Sequence, residues 1–182
     1  MRNAPVIYIV VPCYNEEEVL PLTAEFLGKK LDDLTRSRRI HPGSRVLMVD
    51  DGSRDKTWKM IEEFHEKDER FAGVKLSRNR GHQNALLAGL FEAARRRCDA
   101  AISMDADLQD SPDEIPGLYQ MIKKEGYDLV SGYKQNRKEG DPLSKTIPTK
   151  LFNATARKVS GIHNLHDFNC GLKAYRKDVV KN

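Results

Sequence analysis

Asp105, Asp107 and Gln109 stand at alternate positions where the apolar run Ala101-Ile-Ser-Met104 stops. Side chains two residues apart in an extended chain point to one face, so three oxygen-bearing groups at this spacing can converge on one hard cation. A second acidic tip follows Val46-Leu-Met-Val49, which runs directly into Asp50 and Asp51. Gathering Asp50, Asp51, Asp105, Asp107 and Asp110 in one cleft sets like charges against one another. A divalent cation, a raised pKa or nearby basic groups must then compensate. A bound metal would also let so acidic a cleft accept a diphosphate. Capping of the following helices is the plainer explanation of such residues; it accounts well for Asp55 and Asp113 and poorly for Asp105 and Asp107.

These tips need elements to hold them. Apolar runs of strand length, Val6 to Val11, Arg45 to Val49, Gly73 to Leu76, Ala100 to Met104 and Leu129 to Gly132, alternate with helical patterns. The helices are expected over Glu17 to Leu34, Thr57 to Lys67, Gln83 to Arg96 and Asp113 to Lys124, the third marked by Leu86, Leu90 and Ala93 at helical spacing. Asn15, Asp55 and Ser111-Pro-Asp-Glu mark helix starts. Strands and helices alternating at this length predict an α/β fold with a mainly parallel central sheet and helices on both faces. In an open sheet of that kind ligands bind outside the carboxyl ends of the strands, where both acidic tips fall. Residues 135–142 read as a polar loop, and 145–158 as a basic amphipathic helix carrying Lys145, Lys150, Arg157 and Lys158.

The 182 residues suffice for one domain with a substantial core, and 39% hydrophobic content lies above the disordered range. A net charge of +4 is mild. Arg36-Ser-Arg-Arg39 and Arg95-Arg-Arg97 have no interleaved aromatics and read as solvated helix ends, so no nucleic-acid partner is expected. Cys13, Cys98 and Cys170 are widely spaced and form neither a zinc pattern nor a disulfide framework, which points to a reducing cytoplasm. His163 and His166 fall in a loop pattern and do not make a zinc site. The apolar run at Val6 is too short to span a membrane.

Four segments in order, Val11-Pro-Cys-Tyr-Asn-Glu-Glu17, Val49-Asp-Asp-Gly-Ser-Arg-Asp55, Leu76-Ser-Arg-Asn-Arg-Gly-His-Gln83 and Asp105-Ala-Asp-Leu-Gln109, closely resemble the family 2 inverting glycosyltransferases. Within that family they are most similar to the polyprenyl-phosphate and dolichyl-phosphate hexosyltransferases. The resemblance spans nearly the whole chain and implies a GT-A fold. It places Pro12, Tyr14 and Glu16 in the base and ribose pocket, with Asp50 or Asp51 accepting an N–H from the base. Around the donor diphosphate it places Arg78, Asn79, Gly81, His82, Asp105, Ala106 and Asp107, with Asp105, Asp107 and Gln109 around Mg²⁺ or Mn²⁺. His82 is open between helix capping and donor contact. Asp167 matches the late aspartate near acceptor and reacting sugar, while Lys173 stands where many relatives carry arginine. Lys134 and Arg137 are candidates for the acceptor phosphate, with a solvated loop as the alternative.

The expectation is therefore inverting, metal-dependent transfer of a hexose from a UDP- or GDP-sugar to a polyprenyl phosphate. The alternatives are transfer to a glycan hydroxyl, or a non-catalytic fragment that binds nucleotide sugars. Residues 1–182 are expected to form a single GT-A domain cut short at its C-terminal end. Its expected place is the cytoplasmic face of a membrane, with a homo-oligomer left open.

Overall fold

The computed structural model of the chain describes residues 4–108, 110–132 and 170–181. Its first strand, β1 (Ile7–Cys13), is buried along all seven positions. Helix α1 (Leu20–Arg36) leads to β2 (Arg45–Asp50), α2 (Thr57–Lys67) to β3 (Phe71–Lys75), and α3 (His82–Arg95) to β4 (Ala100–Ser103). A 3₁₀ turn over Pro112–Glu114 opens α4 (Ile115–Glu125), which is followed by β5 (Leu129–Ser131). Strand β6 (Lys173–Arg176) and the short helix α5 (Lys177–Lys181) come last.

The sheet order is β3-β2-β1-β4-β6-β5. The β1–β2, β1–β4 and β2–β3 pairs are parallel, whereas β6 runs antiparallel to both β4 and β5. Both faces of β1 are covered, because its side chains alternate between two cores. Ile7, Ile9, Val11 and Cys13 meet Leu20, Leu27 and Leu31 of α1, Ile61 of α2, and Ile115 and Ile122 of α4. Tyr8 and Val10 meet Ala85, Leu86, Leu90 and Ala93 of α3, with Val180 of α5. Each fully buried aliphatic contributes roughly 1.5–3 kcal/mol, so β1 is the most heavily invested strand.

Most expected elements are present, and the differences have physical causes. Helix α1 begins at Leu20 rather than Glu17, and Asn15 does not cap it. Asn15 has a left-handed φ of 54°. Its N–H donates to Ser53 Oγ (2.9 Å), and its Oδ1 accepts the Arg54 N–H (2.9 Å). Ser111 caps the 3₁₀ turn through the Asp113 N–H (3.3 Å), whereas Asp55 stands one residue before the cap position Lys56 and accepts the Thr57 N–H (3.0 Å). Strand geometry continues through Asp50, which pairs with Cys13 and Lys75, and β3 starts at Phe71 instead of Gly73. Strand β6 and helix α5 had no counterpart among the expected elements.

Arg95 and Arg96 behave as the helix-end cations the sequence suggested. Hydrogen bonding from Arg95 holds the Glu92 carboxyl down at about 2 against the raising effect of burial, and Arg96 adds to it. The expected loop over 135–142 and the basic helix over 145–158 lie outside the described residues.

Gly89 lets α3 rest directly on the sheet. A Cβ there would stand 2.7 Å from Val49 Cγ2 and nearer still to Val10 Cγ1. Alanine in a helix gains up to about 1 kcal/mol over glycine. Overpacking a rigid core costs about 1–3 kcal/mol. The steric term wins, so Gly89→Ala is expected to lower the urea midpoint without changing the slope of the transition.

Candidate active site

Parallel pairing of β1 with β2 on one side and β4 on the other brings both acidic tips beside Pro12 and Cys13. Three loops then tie themselves together there through backbone N–H groups. Asp51 lies 2% exposed and accepts the N–H of Arg80 on one oxygen (2.7 Å) and of Gly81 on the other (2.8 Å). Charge-assisted bonds of this kind are about twice as strong as neutral ones. Gly52 allows the close approach: its φ is +69°, and a Cβ on it would lie 2.6 Å from the Asn79 nitrogen. Gly81 has φ +89° and ends this loop at the start of α3, as the tight turn read from the sequence requires.

The Tyr14–Glu17 segment is stitched to the Ser53–Thr57 segment in the same way. Besides the two Asn15 bonds, the Glu16 N–H donates to Thr57 Oγ1 (2.8 Å) and the Glu17 N–H to Asp55 Oδ2 (3.1 Å). The Lys56 N–H donates to Glu17 Oε2 (3.0 Å). Tyr14 is left 40% exposed above this seam. Asp50 is fully buried; one oxygen accepts the Ser53 N–H (3.1 Å), and Oδ2 has no hydrogen-bond partner among the described residues.

The Asp105–Asp107 tip is a turn, not the continued strand its alternation suggested. Strand β4 ends at Ser103, and Leu108 takes a left-handed φ of 56°. The cause is a tertiary anchor: the buried Thr23 hydroxyl of α1 donates to the Ala106 carbonyl (2.6 Å), pulling the chain out of the sheet. Asp105 and Asp107 nevertheless face the first loop. Burial raises the pKa of Glu16, and the charges of Asp107, Asp55 and Asp105 raise it further. Burial first, then the charges of Glu16 and Asp50, push the Cys13 thiol above its ordinary value and keep it protonated. Asp110, by contrast, turns inward to lie 7% exposed, with Oδ1 3.9 Å from Cys170 Sγ.

A cavity of about 190 Å³ opens beside these groups, lined by Pro12, His82, Ser103, Asp105, Gly171 and Lys173. His82 is the first residue of α3, and its Nε2 lies 3.8 Å from Asp105 Oδ1. Lys173 opens β6 opposite Ser103 and so brings a cation to the acidic tip, a position that its sequence context alone did not fix. A larger cavity of about 420 Å³ sits at the other end of the strands, near Pro5, Arg39 and Tyr119, away from both acidic tips. Arg78 and Asn79 are exposed on the loop over the site. Gln109, Lys134, Arg137, Asp167 and the two histidines at 163 and 166 lie outside the described residues.

Among the described residues no three His, Cys, Asp or Glu side chains stand close enough to hold a metal by themselves. Asp105 and Asp107 still fit one. Magnesium-type sites use one or two carboxylates and complete their octahedron with substrate phosphates and water. The crowding of negative charge on Glu16 is what such an ion would relieve.

Comparisons with known proteins give the family and the fold. The sequence matches the family described as Glycosyl transferase family 2 over residues 8–182. This chain belongs to glycosyl transferase family 2. It is 41% identical over 171 residues to the uncharacterized glycosyltransferase YkoT of Bacillus subtilis, covering 92% of this chain and 49% of that protein. It is 38% identical over 181 residues to the undecaprenyl-phosphate 4-deoxy-4-formamido-L-arabinose transferase of Shewanella sediminis, covering 99% of this chain and 51% of that protein. The chain therefore spans about half the length of the curated relatives it matches. Among solved structures, glucosyl-3-phosphoglycerate synthase of Mycobacterium tuberculosis with UDP aligns at TM-score 0.63 and 18% identity, covering 96% of this chain and 57% of that one. The mannosyltransferase PcManGT of Pyrobaculum calidifontis, in complex with GDP-Man and Mn²⁺, aligns at 0.61 and 22%, covering 99% and 47%. The fold is the GT-A type expected from the motifs.

The strain on Glu16 yields a pH prediction. In metal-free protein at pH 7, Glu16→Gln removes one of the crowded charges and is expected to raise the thermal midpoint. Because the folded pKa of Glu16 is raised above its ordinary value, the wild-type carboxyl takes up its proton as pH falls through that raised pKa and is relieved as well. The advantage of the variant therefore shrinks toward acid, which thermal unfolding of both proteins from pH 7 down to pH 4 will show.

Proposed function

We propose that this chain binds a nucleotide diphosphate sugar, UDP- or GDP-linked, with a divalent metal, and that the protein it represents transfers the glycosyl unit with inversion to a polyprenyl phosphate. The observation that carries the reading is the Asp105 carboxylate lining one cavity with His82, Ser103 and Lys173, at the sheet end where the acidic tips lie. Relatives named as undecaprenyl-phosphate transferases support the acceptor class. Their named sugar is an arabinose derivative, so the hexose expected from sequence is widened here to a glycosyl unit.

In this reading the base lies against Tyr14 and Pro12, and its N–H groups meet the Asp50–Asp51 turn. Asp51 keeps a second lone pair on each oxygen beyond the Arg80 and Gly81 bonds, and Asp50 Oδ2 has no hydrogen-bond partner among the described residues, so either carboxylate could accept the base N–H. Asp105 and Asp107, with Gln109, would hold Mg²⁺ or Mn²⁺. When bound, the ion neutralises charge on the departing diphosphate. His82 at the start of α3, with Arg78 and Asn79 on the loop before it, would border the phosphates. The acceptor phosphate, whose second pKa is near 6, is already largely ionised at neutral pH and needs little deprotonation. One of its oxygens attacks the anomeric carbon from the face opposite the diphosphate; the bond to the diphosphate oxygen breaks as the new one forms. Asp167 would position this acceptor, with Lys134 and Arg137 drawing in its charge. No described helix is long and apolar enough to cross a membrane. The enzyme is proposed to meet its lipid at a cytoplasmic membrane surface.

Calorimetric titration of nucleotide sugars, with and without Mn²⁺, tests the donor site. Asp105→Ala or Asp107→Ala is expected to abolish the metal-dependent part of donor binding, while the thermal midpoint barely moves because both residues sit on a turn outside the cores. Unchanged affinity and unchanged metal dependence in either variant would remove that residue from the site. Asp167→Asn is expected to keep donor affinity and to lose about 100-fold or more in transfer to a short-chain polyprenyl phosphate, as misplaced reactants do. Parallel loss of donor binding would instead move Asp167 to the nucleotide pocket.

A further inference from the structure

We propose that Gly171 is a positioning residue whose missing side chain sets where the Asp105 carboxylate stands; the proposal rests on the metal-binding reading of Asp105 given above. A Cβ built on Gly171 would lie 2.8 Å from Asp105 Oδ1 and closer still to Oδ2. The backbone there is not left-handed, since the positive-φ glycines are Gly52, Gly81 and Gly126. Any residue could adopt it, and what excludes a side chain is the carboxylate itself.

Gly171 cannot retreat from Asp105. Its neighbours Cys170 and Leu172 are each 3% exposed, which sinks both flanks into the core. Its carbonyl accepts the Ser103 hydroxyl (2.6 Å), and two residues later Lys173 pairs with Ser103 in the antiparallel ladder. Ser103 is also only two residues before Asp105. One short rung therefore fixes both the glycine and the root of the aspartate. The atoms that meet this Cβ belong to the Asp105 side chain, which is 40% exposed and has His82 Nε2 3.8 Å from its Oδ1. A methyl group at 171 would displace the carboxylate, and with it the placement of its oxygens as ligands.

This makes a distinctive prediction, because a purely structural glycine would change stability and leave metal affinity alone. Mn²⁺ alone is titrated into the chain while the free ion is followed by electron paramagnetic resonance. Thermal unfolding is recorded without metal. For Gly171→Ala, Mn²⁺ affinity is expected to fall about 10-fold or more, as when partners that orient metal ligands are altered, with the unfolding midpoint close to wild type. Ser103→Ala releases the rung and is expected to weaken Mn²⁺ in the same direction by a smaller factor. Wild-type or tighter Mn²⁺ binding by Gly171→Ala overturns the proposal. Should that variant fail to fold, wild-type affinity in Ser103→Ala overturns it. Asp105→Ala separates the two layers of inference: if it binds Mn²⁺ as well as wild type, the metal reading itself fails, whereas loss there with no loss in Gly171→Ala refutes the role of Gly171 alone.

Discussion

Parallel pairing of β1 with β2 and β4 delivers Asp50, Asp51, Asp105 and Asp107 to the same end of one sheet, where like charges must either be paired with donors or share a cation. The rest of the site follows from how each charge is handled. Asp51 is spent on the Arg80 and Gly81 amides and fixes the loop that opens α3. Asp55 is spent on the amides of Glu17 and Thr57 and fixes the loop after β1. Asp110 turns inward toward Cys170. Glu16 still bears the repulsion of Asp107 and Asp105, which marks the face where a divalent ion and a diphosphate would be welcome.

The same economy explains why the antiparallel β6 belongs to the site rather than to the edge of the fold. It inserts between β4 and β5, and its first residue, Lys173, lies across from Ser103 at the acidic end. Returning chain thus supplies a cation, a glycine that makes room for Asp105, and a carbonyl for the Ser103 hydroxyl. In the proposed reading the first half of the sheet would face the base, and the returning segment would face the phosphates.

Period and punctuation made most of the fold legible in the sequence: β1, β2 and β4 are apolar runs, and α2 was bounded correctly because Asp55 announces it. Where local signals misled, a distant partner had taken the group concerned. Asn15 looks like a cap for α1, yet its amide oxygen is bound by Arg54, 39 positions away. Strand β6 was missed because Lys-Ala-Tyr-Arg carries little apolar signal; only Ala174 is fully buried. The acidic tips lie at one sheet end as the sequence implied, but convergence by strand alternation was not the geometry found. Thr23, Ser103 and Gly171 escaped notice because each acts by close approach to chain 66 or more positions distant, as the Thr23–Ala106 (83) and Ser103–Gly171 (68) bonds show.

The central claim is that the Asp105 and Asp107 carboxylates are there to share a divalent ion with a nucleotide diphosphate. Anomalous diffraction at the manganese edge, from crystals of this chain grown with Mn²⁺ and UDP or GDP, tests it most directly. The account predicts one strong peak within coordination distance of both carboxylates and in contact with the diphosphate, the base lying over Tyr14. A nucleotide bound there with no manganese peak, or a peak remote from Asp105 and Asp107, would contradict it.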